Sequence, residues 1–133
     1  MINGLLLVRK LFYYVFISAW VIKNLLLGKK ICKVSGDSMN PLILHDNYVF
    51  YKPYKLRKTK LFHNQILICN HPTKKDFLLI KRISKINSNS IEIKGDNQIE
   101  SLDSRTFGVV NKKSILGIGK YVLDIQHLKI SKL

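Results

Sequence analysis

A serine and a lysine, separated by 43 residues, are the side chains of this 133-residue sequence whose types and surroundings suggest chemistry. Ser38 follows Gly36 and precedes Pro41, a composition typical of a tight turn that would leave a hydroxyl exposed. A serine hydroxyl is a poor nucleophile until a neighbouring base takes its proton. The sequence has no Gly-x-Ser-x-Gly segment and only four scattered histidines, so Lys81 is the candidate base.

Lys81 interrupts an apolar run over residues 77–83, which would place a charge at or next to the core. An ordinary lysine, with a pKa of about 10.4, stays protonated at neutral pH and cannot accept a proton. Burial against apolar neighbours disfavours the charged form and would lower the pKa. Two plainer interpretations stay open: Lys81 as an edge-strand residue facing water, and Ser38 as an ordinary turn residue.

The other candidate ligands and nucleophiles predict no further site. Cys32 and Cys69 lie in apolar stretches and form no disulfide framework, so we expect buried free thiols. Cys69 and His71 offer a thiolate and an imidazole, both competent nickel ligands, but two residues do not make a site. We therefore predict no metal and no cofactor, and we assign the remaining histidines to the surface or to loops.

Short strands must position these side chains, because the sequence changes character at residues 28–30. Before that point the pattern is helical and apolar, and after it short apolar runs alternate with turn residues. We predict strands over residues 31–34, 48–51, 65–69, 77–83 with a continuation at 85–86, 91–94, 107–110 and 115–118, and a strand or short helix in the tail 121–133. The chain is thus predicted as an apolar helix, residues 1–28, followed by an all-β domain, residues 29–133.

The apolar N-terminal segment predicts a membrane-associated helix. A spanning helix needs about 20 predominantly apolar residues, and no small-x-small cleavage site follows this run. The helix would span the bilayer or lie in its interface with Tyr13, Tyr14 and Trp20 near the headgroups. The alternative is a helix packed on the domain or on a partner. Lysines flank the segment on both sides, so its orientation stays open.

The net charge of +15 and the pI of about 10.0 indicate attraction to anionic surfaces. All eight acidic residues lie from Asp37 onward. Residues 52–60 hold five basic residues around Tyr54, a composition found in nucleic-acid binding proteins and in solvated loops near acidic lipid. Because this segment belongs to a chain with an expected anchor, we predict a membrane surface as the partner and no nucleic acid.

Three segments resemble the conserved boxes of a known family. They are SGDSMNP at residues 35–41, LLIKRI at 78–83 and GDNQIESLDSRTFG at 95–108. Their order and spacing are similar to those of the type I signal peptidases, which use a Ser/Lys dyad, and the likeness extends from about residue 34 to 119. The resemblance implies a compact signal-peptidase-like β domain with its active site beside the membrane.

The same resemblance assigns roles to five residues. Ser38 would be the nucleophile and Lys81 the general base. Ser101 would orient the lysine, and Asp103 and Arg105 would form a supporting ion pair. Gly36 lacks the side-chain hydroxyl that some members offer to the oxyanion hole, so the Ser38 N–H would contribute more. The glycine-rich segment expected after the Lys-Arg pair is also missing.

Within this family, the chain is most similar to the nickel-type superoxide dismutase maturation proteases. The shared features are a serine box that ends in Pro-Leu, the Asn-His-Pro step at residues 70–72 and the small core. The implied partner is a nickel superoxide dismutase precursor that loses an N-terminal propeptide at a bacterial inner or thylakoid-type membrane. Alternatives are a general signal peptidase for exported proteins, a self-cleaving repressor-type protease, and a non-catalytic basic adaptor for membrane or nucleic acid.

Overall fold

One long helix precedes an antiparallel sheet. The computed structural model describes residues 2–133, with helix α1 at Ile2–Leu26. The strands are β1 Lys30–Lys33, β2 Tyr48–Pro53, β3 Ile66–Asn70, β4 Leu78–Ile86, β5 Ser90–Lys94, β6 Val110–Asn111, β7 Ile115–Asp124 and β8 Lys129–Lys132. A short helix α2, Ser104–Phe107, and a 3₁₀ turn, Lys112–Ser114, lie on either side of β6. The predicted combination of a mostly β chain with an N-terminal apolar helix is confirmed.

The sheet is curled into a half-barrel, with strand order β1-β2-β7-β3-β4-β5-β6 and β8 paired to the second half of β7. Every pairing is antiparallel. Register shifts occur in β2, β3 and β4, and such bulges bend a strand and increase its twist. The curl brings the chain after β1 close to the middle of β4, although these strands are far apart in the sheet order.

Strand β3 lies between two apolar layers. Ile66 and Ile68 pack with Met39 on one face of the sheet, and Leu67 and Cys69 pack against the other layer. A strand buried on both faces reads as a continuous apolar run, which explains the sequence of β3. The two layers hold the strands on either side of β3 in fixed positions.

Helix α1 packs against the sheet near its C-terminal end. Trp20 makes edge-to-face contacts with Phe50 and Tyr121, at ring-centroid distances of 4.9 and 5.2 Å, and Ile17 is buried beside them. From residue 5 to 16 the large apolar side chains of the helix are exposed. Residues 4–26 are long and apolar enough to cross a membrane, a property that a signal sequence shares. The Trp20 ring packs against the domain, and its predicted position near the headgroups stays a prediction.

One local strand prediction differs from the structure. The segment predicted as a strand at residues 107–110 instead ends α2 and begins β6, because the Asp103 side chain accepts the Arg105 N–H and caps a helical turn. In the tail, the predicted strand alternative is confirmed, and a hairpin adds a further strand. β7 extends to Asp124, and β8 then pairs with it.

Candidate active site

Ser38 lies in the loop that joins β1 to β2. Met39 and Ile43 are buried beneath this loop and anchor it to the sheet. Gly36 has a φ of 86°, in the left-handed region that favours glycine, and its N–H donates to His45 Nδ1 at 3.0 Å. The loop therefore holds Ser38 at a fixed position while leaving its side chain half-buried.

Lys81 projects from the buried face of β4. It alternates with Leu79 and Ile83, which belong to the apolar layer, and it pairs in register with Leu67 of β3. Only 3% of Lys81 is exposed. The adjacent Arg82 points to the opposite face, as the two-residue period of a strand requires.

The curl of the sheet brings Ser38 and Lys81 into direct contact. Lys81 Nζ donates a hydrogen bond to Ser38 Oγ, and within the described residues this is the one hydrogen bond that Lys81 Nζ makes. Burial lowers the pKa of Lys81, although Asp103 and Cys69 act in the opposite direction. A buried amine with a lowered pKa beside a serine hydroxyl is arranged for proton transfer.

Asn97 fastens the serine loop to the rest of the site. Its backbone N–H donates to the Ser38 carbonyl at 3.0 Å, and its Nδ2 donates to the Asp37 carbonyl at 3.2 Å. Gly95 lies so close that a Cβ at this position would overlap the Ser101 side chain and approach the Ser38 carbonyl to 2.5 Å. Sequence reasoning treated residues 95–97 only as a turn and a family box. We call the two hydrogen bonds from Asn97 to the serine loop the Asn97 clamp. The Gly-Asp-Asn composition directly after a strand was the signal that could have located it.

Asp103 is fully buried and accepts hydrogen bonds from three residues. Ser101 Oγ donates to it at 2.7 Å and the Gly95 N–H at 2.9 Å, while Arg105 donates from Nε and Nη2 at 2.9 and 2.8 Å. Burial by itself would raise the pKa of Asp103, but these hydrogen bonds, chiefly those from Arg105, hold it well below its usual range. Asp103 is thus a carboxylate whose position is fixed by its hydrogen bonds from Ser101, Gly95 and Arg105.

The five expected site residues form two hydrogen-bonded groups, Ser38 with Lys81 and Ser101 with Asp103 and Arg105. Asp103 and Arg105 form the expected ion pair, with N–O contact at 2.8 Å. Ser101 was expected to hydrogen-bond Lys81, but its hydroxyl donates to Asp103 instead. The reason is that the buried carboxylate is the stronger acceptor within reach. The charge of Asp103 acts on Lys81 without a hydrogen bond between them, and it opposes the lowering of the lysine pKa.

Arg82 has a structural role on the outer face of β4. Its Nε and Nη2 donate to the two carboxylate oxygens of Asp96 at 2.8 and 2.7 Å, and its Nη1 donates to the Asn64 carbonyl at 2.8 Å. This paired arrangement fixes the planar guanidinium. Since Asp96 precedes Asn97, the ion pair also positions the segment that clamps the serine loop.

Within the described residues, no cysteine or histidine side chain forms a hydrogen bond with Ser38 Oγ or Lys81 Nζ. Burial raises the pKa of Cys32 to about 11 and that of Cys69 to about 12, which keeps both thiols protonated. His71 packs on Phe107, and its Nδ1 accepts the backbone N–H groups of Thr73 and Lys74. Within the described residues, no group of three or more His, Cys, Asp or Glu side chains is placed to hold a metal ion.

A cleft of about 430 Å³ opens over the Ser38–Lys81 pair. This Ser38 cleft is lined by residues 32–39, 76–81, 100 and 102. Strand β4 pairs with β5 only from Arg82 onward, so its edge over residues 78–81 has no strand partner within the described chain. The Ser38 N–H also makes no hydrogen bond within residues 2–133. The cleft thus presents a free strand edge and a free N–H beside the hydroxyl.

A larger cavity of about 720 Å³ lies at the other end of β4. This basic cavity is lined by residues 54, 56–61, 86, 88–89 and 111–113, among which the cations are Arg57, Lys58, Lys60, Lys112 and Lys113. None of its lining residues is acidic, and it contains neither Ser38 nor Lys81. Its size exceeds that of the Ser38 cleft, yet it contains no pair of side chains arranged for proton transfer.

Comparison with known proteins assigns no family to this chain. No protein-family model matches it, and no curated protein matches it. The likeness of three segments to signal peptidase boxes therefore stays a prediction from the sequence.

Proposed function

We propose that the protein is a serine endopeptidase in which Ser38 is the nucleophile and Lys81 the general base. The observation that carries this proposal is the hydrogen bond between Lys81 Nζ and Ser38 Oγ, made by a lysine that is buried in the sheet. Another lysine of the same strand, Lys85, has a different environment. Lys85 is exposed and pairs with the carboxylate of Glu92.

In the proposed reaction, Lys81 transfers the proton in both acylation and deacylation of Ser38. Lys81 removes the proton from Ser38 Oγ as this oxygen attacks the scissile carbonyl carbon, and the tetrahedral oxyanion accepts a hydrogen bond from the Ser38 N–H. The protonated amine then gives its proton to the leaving nitrogen, which leaves an acyl ester on Ser38. Lys81 next deprotonates a water, and hydrolysis of the ester releases the new carboxylate and restores the hydroxyl.

The form of the Ser38 cleft favours a polypeptide substrate. A free strand edge pairs readily with an extended chain, whose backbone groups supply the complementary hydrogen bonds. The edge at residues 78–81 runs beside the dyad, so a peptide paired with it would pass over Ser38. A small-molecule esterase would not need such an edge.

The substrate class follows from the sequence resemblance and from helix α1. The domain would be a signal-peptidase-like fold held at a membrane by its exposed apolar helix, and its substrate would be a nickel superoxide dismutase precursor with an N-terminal propeptide. The second candidate is a general signal peptidase, which the membrane-compatible helix favours equally. The two differ in the precursor that is cleaved.

Incubation of the purified full-length chain with each precursor tests the proposal. We expect cleavage of the dismutase precursor, with one new N-terminus in the product, and loss of cleavage in Ser38→Ala. Ser88→Ala, in a distant turn, is the matched control and should retain activity. Cleavage by Ser38→Ala at the wild-type rate would overturn the assignment of the nucleophile, whereas cleavage of exported precursors alone would assign the protein to the second candidate.

A further inference from the structure

Acidic side chains are concentrated around the Ser38 cleft in a chain that is otherwise strongly basic. The sequence has 23 lysines and arginines but only eight aspartates and glutamates. Three of these eight, Asp37, Asp76 and Glu100, line the cleft. They come from separate segments: the loop that carries Ser38, the turn just before β4 begins at Leu78, and the segment between Asn97 and Asp103.

The same three carboxylates are the ones that contact no basic side chain within residues 2–133. Of the other five acidic residues, four form salt bridges with lysine or arginine, in the pairs Asp46–Lys33, Glu92–Lys85, Asp96–Arg82 and Asp103–Arg105, and Asp124 is hydrogen-bonded to His127. Within the described residues, Asp37, Asp76 and Glu100 form no salt bridge. All three are exposed, so their charges face the solvent of the cleft.

The basic residues of the cleft do not cancel these charges. Lys33 pairs with Asp46 at 2.7 Å, and Lys81 is uncharged in the form that acts as a base. Lys74 and Lys75 precede Asp76 in the chain but do not line the cleft. Cations farther than about 10 Å from the cleft are screened at 0.1 M salt, so the three carboxylates are the unpaired charges in direct reach of a bound peptide.

We infer that the Ser38 cleft selects peptides that carry lysine or arginine close to the scissile bond, an inference that rests on the proposed endopeptidase function. A cationic side chain on either side of the bond would face at least one of Asp37, Asp76 and Glu100. An acidic side chain at the same position meets like charges. Such charge complementarity provides specificity more than raw affinity.

A peptide library tests this selection without knowledge of the cleavage site. The full-length protein is incubated with randomised dodecapeptides, and the products are sequenced by mass spectrometry. Each exposed ion pair contributes about 1.4- to 5-fold, so we expect cleavage with lysine near the bond about 10-fold more often than with glutamate. The preference should decrease in 0.5 M NaCl. Equal cleavage of both classes would overturn the inference and leave the proposed function intact.

Variants identify the residues responsible. Asp76→Asn combined with Glu100→Gln should reduce the preference at least threefold while cleavage of neutral peptides continues, and Asp124→Asn is the matched control. A preference that survives the double substitution would overturn the inference. Each variant is compared with the wild type by circular dichroism.

A binding experiment separates this inference from the proposed chemistry. The Ser38→Ala protein is titrated with fluorescein-labelled alanine-glycine decapeptides that carry two lysines, two glutamines or two glutamates. We expect the lysine peptide to bind several-fold more tightly than the glutamate peptide. If the wild type cleaves no peptide at all, the proposed function fails, and the charge selection is then decided by this titration alone, equal binding being the result that overturns it.

Discussion

The Ser38 cleft and the basic cavity lie at the two ends of strand β4 and have opposite electrostatic character. The cleft contains three unpaired carboxylates and one buried lysine. The basic cavity contains five cations and no carboxylate, and it is the larger of the two. Its cations are on exposed or half-exposed residues, as expected for the surface of a chain with a net charge of +15.

The contrast teaches that neither net charge nor cavity size locates the chemistry of this protein. A net charge describes the surface that meets anionic partners. A lysine that can act as a base needs instead a desolvated position and an adjacent hydroxyl, which Lys81 has and the lysines of the basic cavity lack. The difference between Lys81 and Lys58 is therefore one of environment, and matched substitutions can measure it.

The largest effect is expected when the same substitution is made in each cavity. Lys81→Met should lower kcat/KM for the cleaved precursor about 10³-fold or more, because it removes the base and leaves only binding and oxyanion stabilisation. Lys58→Met should change kcat/KM less than about twofold, since an exposed cation far from the dyad takes no part in proton transfer. Steady-state kinetics on both variants measure the difference. Equal losses would contradict the distinction between the two cavities.

The pH dependence of kcat/KM in the wild type also tests the difference between Lys81 and Lys58. The neutral amine is the active form of Lys81, so kcat/KM should rise with pH, with a midpoint below the ordinary lysine value of 10.5. The Lys58→Met variant should keep this rising limb unchanged. A profile with no rising limb at any pH up to 10 would contradict the assignment of Lys81 as the base.

Asp103→Asn should have the next largest effect, on stability. The carboxylate is fully buried and accepts bonds from Ser101, Gly95 and Arg105, whereas an amide would turn an NH₂ group toward some of these donors. We expect the free energy of unfolding in urea to fall by about 2–4 kcal/mol. Lys112→Gln, which affects an exposed bond to the Ser88 carbonyl in the basic cavity, should cost less than about 1 kcal/mol.

The free energy of unfolding measured at acidic pH tests whether the charge of Asp103 stabilises the fold. Its pKa is lowered in the folded state, so its contribution is fully present above the unfolded value of about 3.9 and is lost as the pH falls through the folded value. The difference in free energy of unfolding between the wild type and Asp103→Asn should therefore decrease progressively below about pH 4. A constant difference down to strongly acidic pH would show that the carboxylate charge is not the source of the stability.

The sequence singled out Ser38 and Lys81 and predicted most strands, because these signals are local. Lys81 interrupts an apolar run, and Ser38 lies in a turn composition, so both could be selected without coordinates. Their contact across the curled sheet was expected only through the resemblance to a family. The clamp made by Asn97 was missed because it requires two loops, 60 residues apart, to meet.

The incorrect predictions occur where a local pattern permits two structures. Residues 107–110 contain an apolar β-type run, yet a side-chain cap from Asp103 converts its start into a helical turn. Ser101 could hydrogen-bond either Lys81 or Asp103, and the buried position of Asp103 determines that the hydroxyl donates to Asp103.

The smallest predicted effect is a gain in stability from the same lysine substitution that abolishes activity. The pKa of Lys81 is lowered in the folded state, so the unfolded state binds more protons between the folded value and about 10.4, and desolvation of this amine costs folding free energy at neutral pH. Methionine has a similar length and carries no charge. Lys81→Met should therefore raise the free energy of unfolding by about 1 kcal/mol at pH 7, and the gain should shrink as the pH approaches 10.4. Lys58→Met, made at an exposed position of the basic cavity, should leave stability within about 0.5 kcal/mol at both pH values. Urea unfolding of the three proteins at pH 7 and pH 10 measures these differences, and a loss of stability in Lys81→Met at pH 7 would mean that Lys81 stabilises the fold instead of being held there at a cost.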